Sequence, residues 1–221
     1  EMSAGIGHEI NNVVCGIKFG IDRVVQQLRM KGFSDPDIDD RLTKTKEYVE
    51  HLTVIVGRLR DFARPGHVEW VDIYKIVGAS IEMAKDGFKH LLTKIEIIKE
   101  MDEGIPKLVG NHVYFEEIFL NLIHNSCQAM QGMKGKIIVK GRSDNNWVYI
   151  VVQDTGPGIP KENLRKVFRA FYTTKSDGMG MGLYIIDNII RTFGGRLELE
   201  SELDRETTFT VVLPIMGSKN C

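Results

Sequence analysis

The chain has little of what stabilises secreted or membrane-embedded proteins. Its cysteines are only three, Cys15, Cys127 and Cys221, an odd set without metal-ligand spacing, which argues against a disulfide framework and for a reducing compartment. No apolar run approaches the ~20 residues that a membrane-crossing helix needs, and the candidate stretch from Val13 to Ile21 is broken by Lys18. Neither sign of charge prevails. With 29 basic and 30 acidic side chains and a formal net charge of -1, no whole-molecule field recruits nucleic acid or an anionic membrane. Internal repeats and low-complexity tracts are missing too. A hydrophobic content of 43% over 221 residues predicts one large or two modest folded domains.

The apolar residues fall into two regimes. Between Ser3 and Met30 they recur at Ile6, Ile10, Val13, Ile17, Ile21, Val24 and Leu28, the three-four spacing of an amphipathic helix. Leu42, Val49, Leu52, Val56, Leu59 and Phe62 repeat the pattern, and Gly32-Phe-Ser-Asp-Pro-Asp37 separates the two runs with a stop glycine and a turn proline. Residues 1–64 therefore read as a helical hairpin. Burying each Val, Leu or Ile contributes roughly 1.5–3 kcal/mol, and one hairpin alone cannot cover its own stripe, so two hairpins are expected to pair as a homodimeric four-helix bundle. Residues 65–67, within Ala63-Arg-Pro-Gly-His67, form the linker.

From residue 68 to 216 the pattern becomes mixed, and the whole is α+β: the hairpin followed by an α/β sandwich. Strands are expected near Val68–Val71, Lys94–Lys99, Lys107–Val109, Lys136–Arg142, Trp147–Gln153, Arg196–Ser201 and Thr207–Leu213. Helices are expected near Ile73–Lys85, Val113–Met130, Glu162–Val167 and after Gly182, and residues 217–221 read as a tail.

Three motifs inside this region carry chemistry. Asn121-Leu-Ile-His-Asn125 sets two neutral amides one helical turn apart on one face, able to converge on a metal and its phosphates. Asp154 closes the alternating run Val148 to Asp154 beside the glycine turn Gly156-Pro-Gly158, where an acceptor suits the amine of adenine. The run Gly178-Met-Gly180-Met-Gly182 precedes the apolar helix from Leu183, whose first amides and positive dipole end would receive a polyphosphate. Singly, each is more often a solvated edge or an ordinary turn. Together, in this order, they read as a split ATP site.

With the aromatic run Val167-Phe-Arg-Ala-Phe171, these motifs resemble the ATP-binding domain of bacterial sensor histidine kinases, of the gyrase, chaperone and histidine-kinase type. Near the start of the first helix, Gly7-His8-Glu9-Ile-Asn-Asn12 resembles the phosphoacceptor box of the same family. The resemblance runs from Gly7 to Pro214 and implies a catalytic core in which a ring nitrogen of His8 attacks the γ-phosphorus of ATP while Glu9 accepts a hydrogen bond from the other nitrogen. It further implies that Asn12 holds a water for dephosphorylating a response regulator. In the ATP domain it implies Asn125 as Mg2+ ligand, Asp154 as the adenine acceptor with Gly156 and Gly158 allowing close backbone approach, and Thr207 as a second adenine contact. Lys175 would reach the terminal phosphate from a lid containing Gly178, Gly180 and Gly182, and Leu183 would begin the phosphate-binding helix. Asn121 stands where related ATPases carry a glutamate that activates water; an amide cannot act as a base, which favours transfer over hydrolysis.

Three positions depart from the family pattern: Val13 where proline is common, Ser126 for alanine and Glu206 for glycine. The partner implied is the receiver domain of a response regulator, with no nucleic acid. The chain reads as a cytoplasmic fragment that reaches a membrane, if at all, through an upstream sensing region.

Overall fold

The computed structural model describes residues 16, 17, 19–28, 30, 35, 37, 38, 41, 42, 45, 49, 68–175 and 180–215. The chain divides into two compact units, Glu1–Gly66 and His67–Cys221.

In the first unit residues 19–28 are helical, and half-buried Ile21 packs against buried Val49, so the two apolar stripes meet at these positions. Ile17 and Val24, on the same stripe as Ile21, stay about half exposed. His8, Glu9 and Asn12 lie outside the described residues. No described helix is long and apolar enough to cross a membrane.

The second unit is built on a five-stranded sheet in the order β2-β4-β5-β7-β6, from β2 (Ile95–Met101), β4 (Gly135–Ser143), β5 (Trp147–Asp154), β6 (Arg196–Glu202) and β7 (Glu206–Pro214). β2 runs parallel to β4, and every other pairing in this sheet is antiparallel. The short strands β1 (Glu69–Val71) and β3 (Leu108–Gly110) pair with each other in a separate antiparallel ribbon. Among the described residues three α-helices complete the unit: α1 (Ile73–Gly87), α2 (His112–Ala129) and α3 (Gly182–Thr192).

Helix starts follow side-chain chemistry. Asp72 caps α1 by accepting from the Lys75 amide, and Asn111 caps α2 by accepting from the amides of Val113 and Tyr114. The core follows periodicity. On α2 the buried residues Phe115, Ile118, Phe119, Leu122, Ile123, Ser126 and Cys127 keep a three-four spacing. On β5 every second residue is buried, namely Val148, Ile150, Val152 and Asp154, and β7 answers with Thr207, Phe209, Val211 and Leu213. Both outer strands carry charge: Glu96 and Glu100 of β2 pair with Lys136 and Lys140 of β4, and β6 exposes Glu198, Glu200 and Glu202.

One expected helix is different. The stretch Glu162–Val167 forms a 3-10 turn at Lys161–Asn163 followed by further turns. The Pro160 carbonyl accepts from the Asn163 amide at 2.8 Å, and three-residue closures recur at Leu164, Lys166 and Arg169; among the described bonds of this stretch only Val167 to Asn163 spans four residues. An α-helix needs that longer closure at each step. The strand expected from Lys94 starts at Ile95, because Leu92–Lys94 form another 3-10 turn.

Gly158 shows why the turn after β5 needs glycine. Its φ is +70, and an added Cβ would sit 2.2 Å from the Glu202 carbonyl oxygen, while the Asp204 amide donates to the Pro157 carbonyl at 2.7 Å. The turn is thus fastened to the β6–β7 hairpin. Gly158→Ala combines a left-handed backbone with a collision against main chain and should lower stability by about 2 kcal/mol or more. Urea denaturation measures this, and an unchanged midpoint would show that the hairpin gives way freely.

Candidate functional site

The centre of the cleft is a carboxylate in a core position. Asp154 is 2% exposed because it shares the inward parity of Val148, Ile150 and Val152 on β5. Two donors hold it. The Ser126 hydroxyl donates to its Oδ2 at 2.8 Å and the Gly156 amide to its Oδ1 at 3.0 Å. Burial pushes its pKa above the ordinary carboxylate value, aided by the nearby Glu206 charge; the two hydrogen bonds and Lys175 act the other way without cancelling it. A Cβ on Gly156 would approach Asp154 Oδ1 to 2.7 Å, so only glycine leaves that oxygen open beside its own amide.

Ser126 is a site residue that motif reading passed over. At the sequence level it is a replacement for alanine, yet its signal was available: it falls on the buried stripe of α2, seven residues after Phe119 and four after Leu122. A hydroxyl in such a stripe requires a partner, and the partner is Asp154.

Thr207 lies directly opposite Asp154 in the β5–β7 register and is buried. Its Oγ1 is 3.2 Å from the Ser201 Oγ, which donates to the Glu206 carbonyl at 2.7 Å and accepts from the Ile159 amide at 2.8 Å. Since the Ser201 proton is engaged with Glu206, the Thr207 hydroxyl donates to Ser201. Glu206 accepts from Gln153 Nε2 at 2.9 Å.

Asn121 and Asn125 are half-buried on α2, and the start of α3 lies against them. Gly182 is so close that a Cβ there would come within 3.0 Å of Asn121 Oδ1 and 4.0 Å of Asn125 Nδ2. Asn121 Nδ2 donates to the Glu117 carbonyl at 3.2 Å, which turns its oxygen toward Gly182. Unlike α1 and α2, α3 has no side-chain cap, and its first amides open on this amide face. Leu183, the second residue of α3, is half-buried. Gly180, with φ +67, packs so that a Cβ would meet the Tyr172 carbonyl at 2.4 Å. The segment ahead of α3 is thereby fixed to residues 171 and 172 at this point. Gly178 lies outside the described residues.

Lys175 reaches the far end of the same helix face, its Nζ donating to Gln128 Oε1 at 2.6 Å. Packing around the ammonium lowers its pKa, with Asp154 opposing the shift. His124 stacks on Phe88 with ring centroids 4.4 Å apart, and burial, then Lys175 and His90, lower its pKa. It is therefore neutral at pH 7. The Cys127 thiol, buried in the α2 stripe, is pushed up to about 11 and is a packing group. Among the described residues no group of three or more His, Cys, Asp or Glu side chains could hold a metal ion; the hard donors beside the start of α3 are side-chain amide oxygens.

The cleft thus joins four separated segments: the α2 amide face, Asp154 with its glycine turn, Lys175 with the start of α3, and Thr207. Asp154 offers an acceptor in a buried place, the α3 amides offer positive charge beside Asn121 and Asn125, and Lys175 adds a cation at Gln128. Such a pairing suits a ligand with an amine-bearing base at one end and phosphates at the other.

Comparison with known proteins agrees with this geometry. Residues 110–216 match the family described as histidine kinase-, DNA gyrase B- and HSP90-like ATPase. The chain is 26% identical to the signal transduction histidine-protein kinase AtoS of Escherichia coli, over 100% of this chain and 35% of that protein. It is 30% identical to the sensory histidine kinase/phosphatase NtrB of Azospirillum brasilense, over 97% of this chain and 55% of that protein. The chain therefore spans roughly a third to a half of the length of the relatives it matches. Among solved structures, full-length ShkA in complex with AMPPNP is similar with a TM-score of 0.67 and 21% identity, covering 94% of this chain and 45% of that one. The catalytic domain of histidine kinase ThkA gives a TM-score of 0.60 with 23% identity, covering 67% of this chain and 95% of that one. At these identities the structures speak for the fold.

The buried carboxylate has a consequence for stability. A carboxyl whose pKa is raised by folding favours the protonated folded state, so its contribution is fully present below the unfolded carboxylate pKa and is lost as pH rises through the folded value. Asp154→Asn should therefore stabilise the ligand-free protein at pH 7, and the advantage over the parent should shrink as pH falls toward 4. Thermal melts of both proteins across this range measure it; a variant less stable than the parent at pH 7 would show that the two hydrogen bonds outweigh the burial.

Proposed function

On the premise that residues 110–216 belong to the histidine kinase-, DNA gyrase B- and HSP90-like ATPase family, and that the chain is related along its length to sensor histidine kinases, we propose that it is the catalytic core of a two-component sensor histidine kinase. It phosphorylates its own His8 from ATP and passes the phosphoryl group to an aspartate on the receiver domain of a response regulator. The observation that carries the reading is the cleft itself, where the Asn121–Asn125 face meets the uncapped start of α3 beside buried Asp154.

Asp154 accepts from the adenine amine through the lone pair that Gly156 leaves open, and Thr207 supports the same end of the base. Asn125 is the Mg2+ ligand, with Asn121 beside it at the phosphates. An Mg2+ ion held by Asn125 would supply neutralisation of the polyphosphate charge. Gly178, Gly180, Gly182 and Leu183 present the α3 amides to the phosphates, and Lys175 brings a cation to the terminal one. His8 supplies the attacking nitrogen: a nitrogen-phosphorus bond forms as the bond to the ADP oxygen breaks. Glu9 orients the imidazole. Asn121 cannot activate water, which keeps ATP for transfer.

The half-exposed Ile17 and Val24 support a homodimer, since a second hairpin would cover them in a four-helix bundle. A cytoplasmic location for this core is part of the proposal. Phosphatase activity toward the regulator is part of the proposal, supported by the likeness to the kinase/phosphatase NtrB and by the four-residue sequence spacing of His8 and Asn12, which matches one turn of the expected helix.

Labelled ATP tests the kinase reading. His8→Gln should take up no label with ATP affinity intact, whereas Asn125→Ala should take up none because Mg2+-dependent binding is gone, as calorimetry reports. Normal labelling of the His8 variant would discard the acceptor assignment.

Asn12→Ala separates the two activities. Labelling of His8 should persist while dephosphorylation of the regulator is lost, and equal dephosphorylation rates for variant and parent would reduce Asn12 to a surface amide.

A further inference from the structure

The contact between Lys175 and Gln128 is not absorbed by the scheme above. Gln128 continues the amide face of α2, three residues after Asn125 and seven after Asn121, so the stripe runs from the start of α3 to the lysine. The Lys175 ammonium is held at the Gln128 end of this face, by the hydrogen bond from its Nζ to Gln128 Oε1 at 2.6 Å. We propose that Gln128 is a positioning residue that seats the Lys175 ammonium on the cleft face of α2, in line with Asn121 and Asn125, ready to meet the terminal phosphate. The inference rests on the reading of the cleft as an ATP site.

The chemistry of the seat matters. A long lysine side chain left free loses much rotamer entropy when it is recruited to a ligand, and an acceptor that holds it beforehand removes that cost from binding. A carboxylate at 2.6 Å would hold the ammonium too, but would neutralise it. The neutral amide holds one N–H and leaves the full charge, with two further donors, for an anion. His124, kept neutral beside it, adds no competing charge. The Lys175 side chain is exposed, so a phosphate oxygen can reach its two remaining donors without displacing protein atoms.

Calorimetry on the full chain tests this with Mg2+-ATP and with adenosine as probes. Gln128→Met keeps the side-chain length and removes the oxygen; it should weaken ATP about tenfold, equivalent to about 1.4 kcal/mol, with adenosine affinity retained. In a Lys175→Met background the same change should cause no further loss, because Gln128 acts through the lysine. Gln128→Glu provides a check that retains size and an acceptor: the ion pair should weaken ATP relative to adenosine as well. Parallel loss of ATP and adenosine in Gln128→Met, or losses that multiply in the double variant, would overturn the proposal. If the parent does not prefer ATP to adenosine, the ATP-site reading falls and this inference with it. If the parent prefers ATP and Lys175→Met abolishes the preference while Gln128→Met preserves it, the role of Gln128 alone falls.

Discussion

Asp154 occupies a position whose parity along β5 is that of Val148, Ile150 and Val152, so the chain buries a carboxylate where alternation calls for hydrocarbon. An ion in the interior costs several kcal/mol, and hydrogen bonds to a charged group return about 1.5–3 kcal/mol each. Two such bonds, from Ser126 and Gly156, offset part of the cost. The upward pKa shift shows that burial still wins. Much around the cleft follows from this imbalance: a serine on the apolar stripe of α2, a glycine two residues after the acid, and a lysine close enough to be felt. A ligand whose amine meets the carboxylate completes what the protein leaves short.

The helix α2 shows how one element serves both sides of the molecule. Its inward stripe, Phe115 to Cys127, fills the core, while Asn121, Asn125 and Gln128 face the cleft. The two sets interleave along the same turns, so rotating the helix to improve one would misplace the other. Anchoring by Asn111 at its start and by Phe119, Leu122 and Ile123 within the core fixes that rotation.

Most of the second unit was legible because its periods are clean: strands β4, β5 and β7 alternate, and α1, α2 and α3 keep three-four spacing. What escaped reading depended on partners remote in sequence. The run at Glu162–Val167 has helical composition, yet the closures from Pro160 onward favour three-residue spacing. The ribbon of β1 with β3 is three residues on each side, too short for alternation to reveal its partner. Gly158 was legible as a turn glycine, but not the close approach of the Glu202 carbonyl on the side where a Cβ would stand. Gln128 showed nothing in sequence, because its significance lies in Lys175, brought to it by the fold.

The strand order has a consequence for how the site comes into being. β7, last in sequence among the strands, inserts between β5 and β6, so β6 joins the sheet only through a strand made after it. Asp154 acquires Thr207 opposite it at that same step. A growing chain that has not yet produced β7 therefore has no complete cleft, however well its helices have formed. Whatever binds there selects finished molecules, and a ligand at 100 times its dissociation constant would add about 2.7 kcal/mol to the folded state alone.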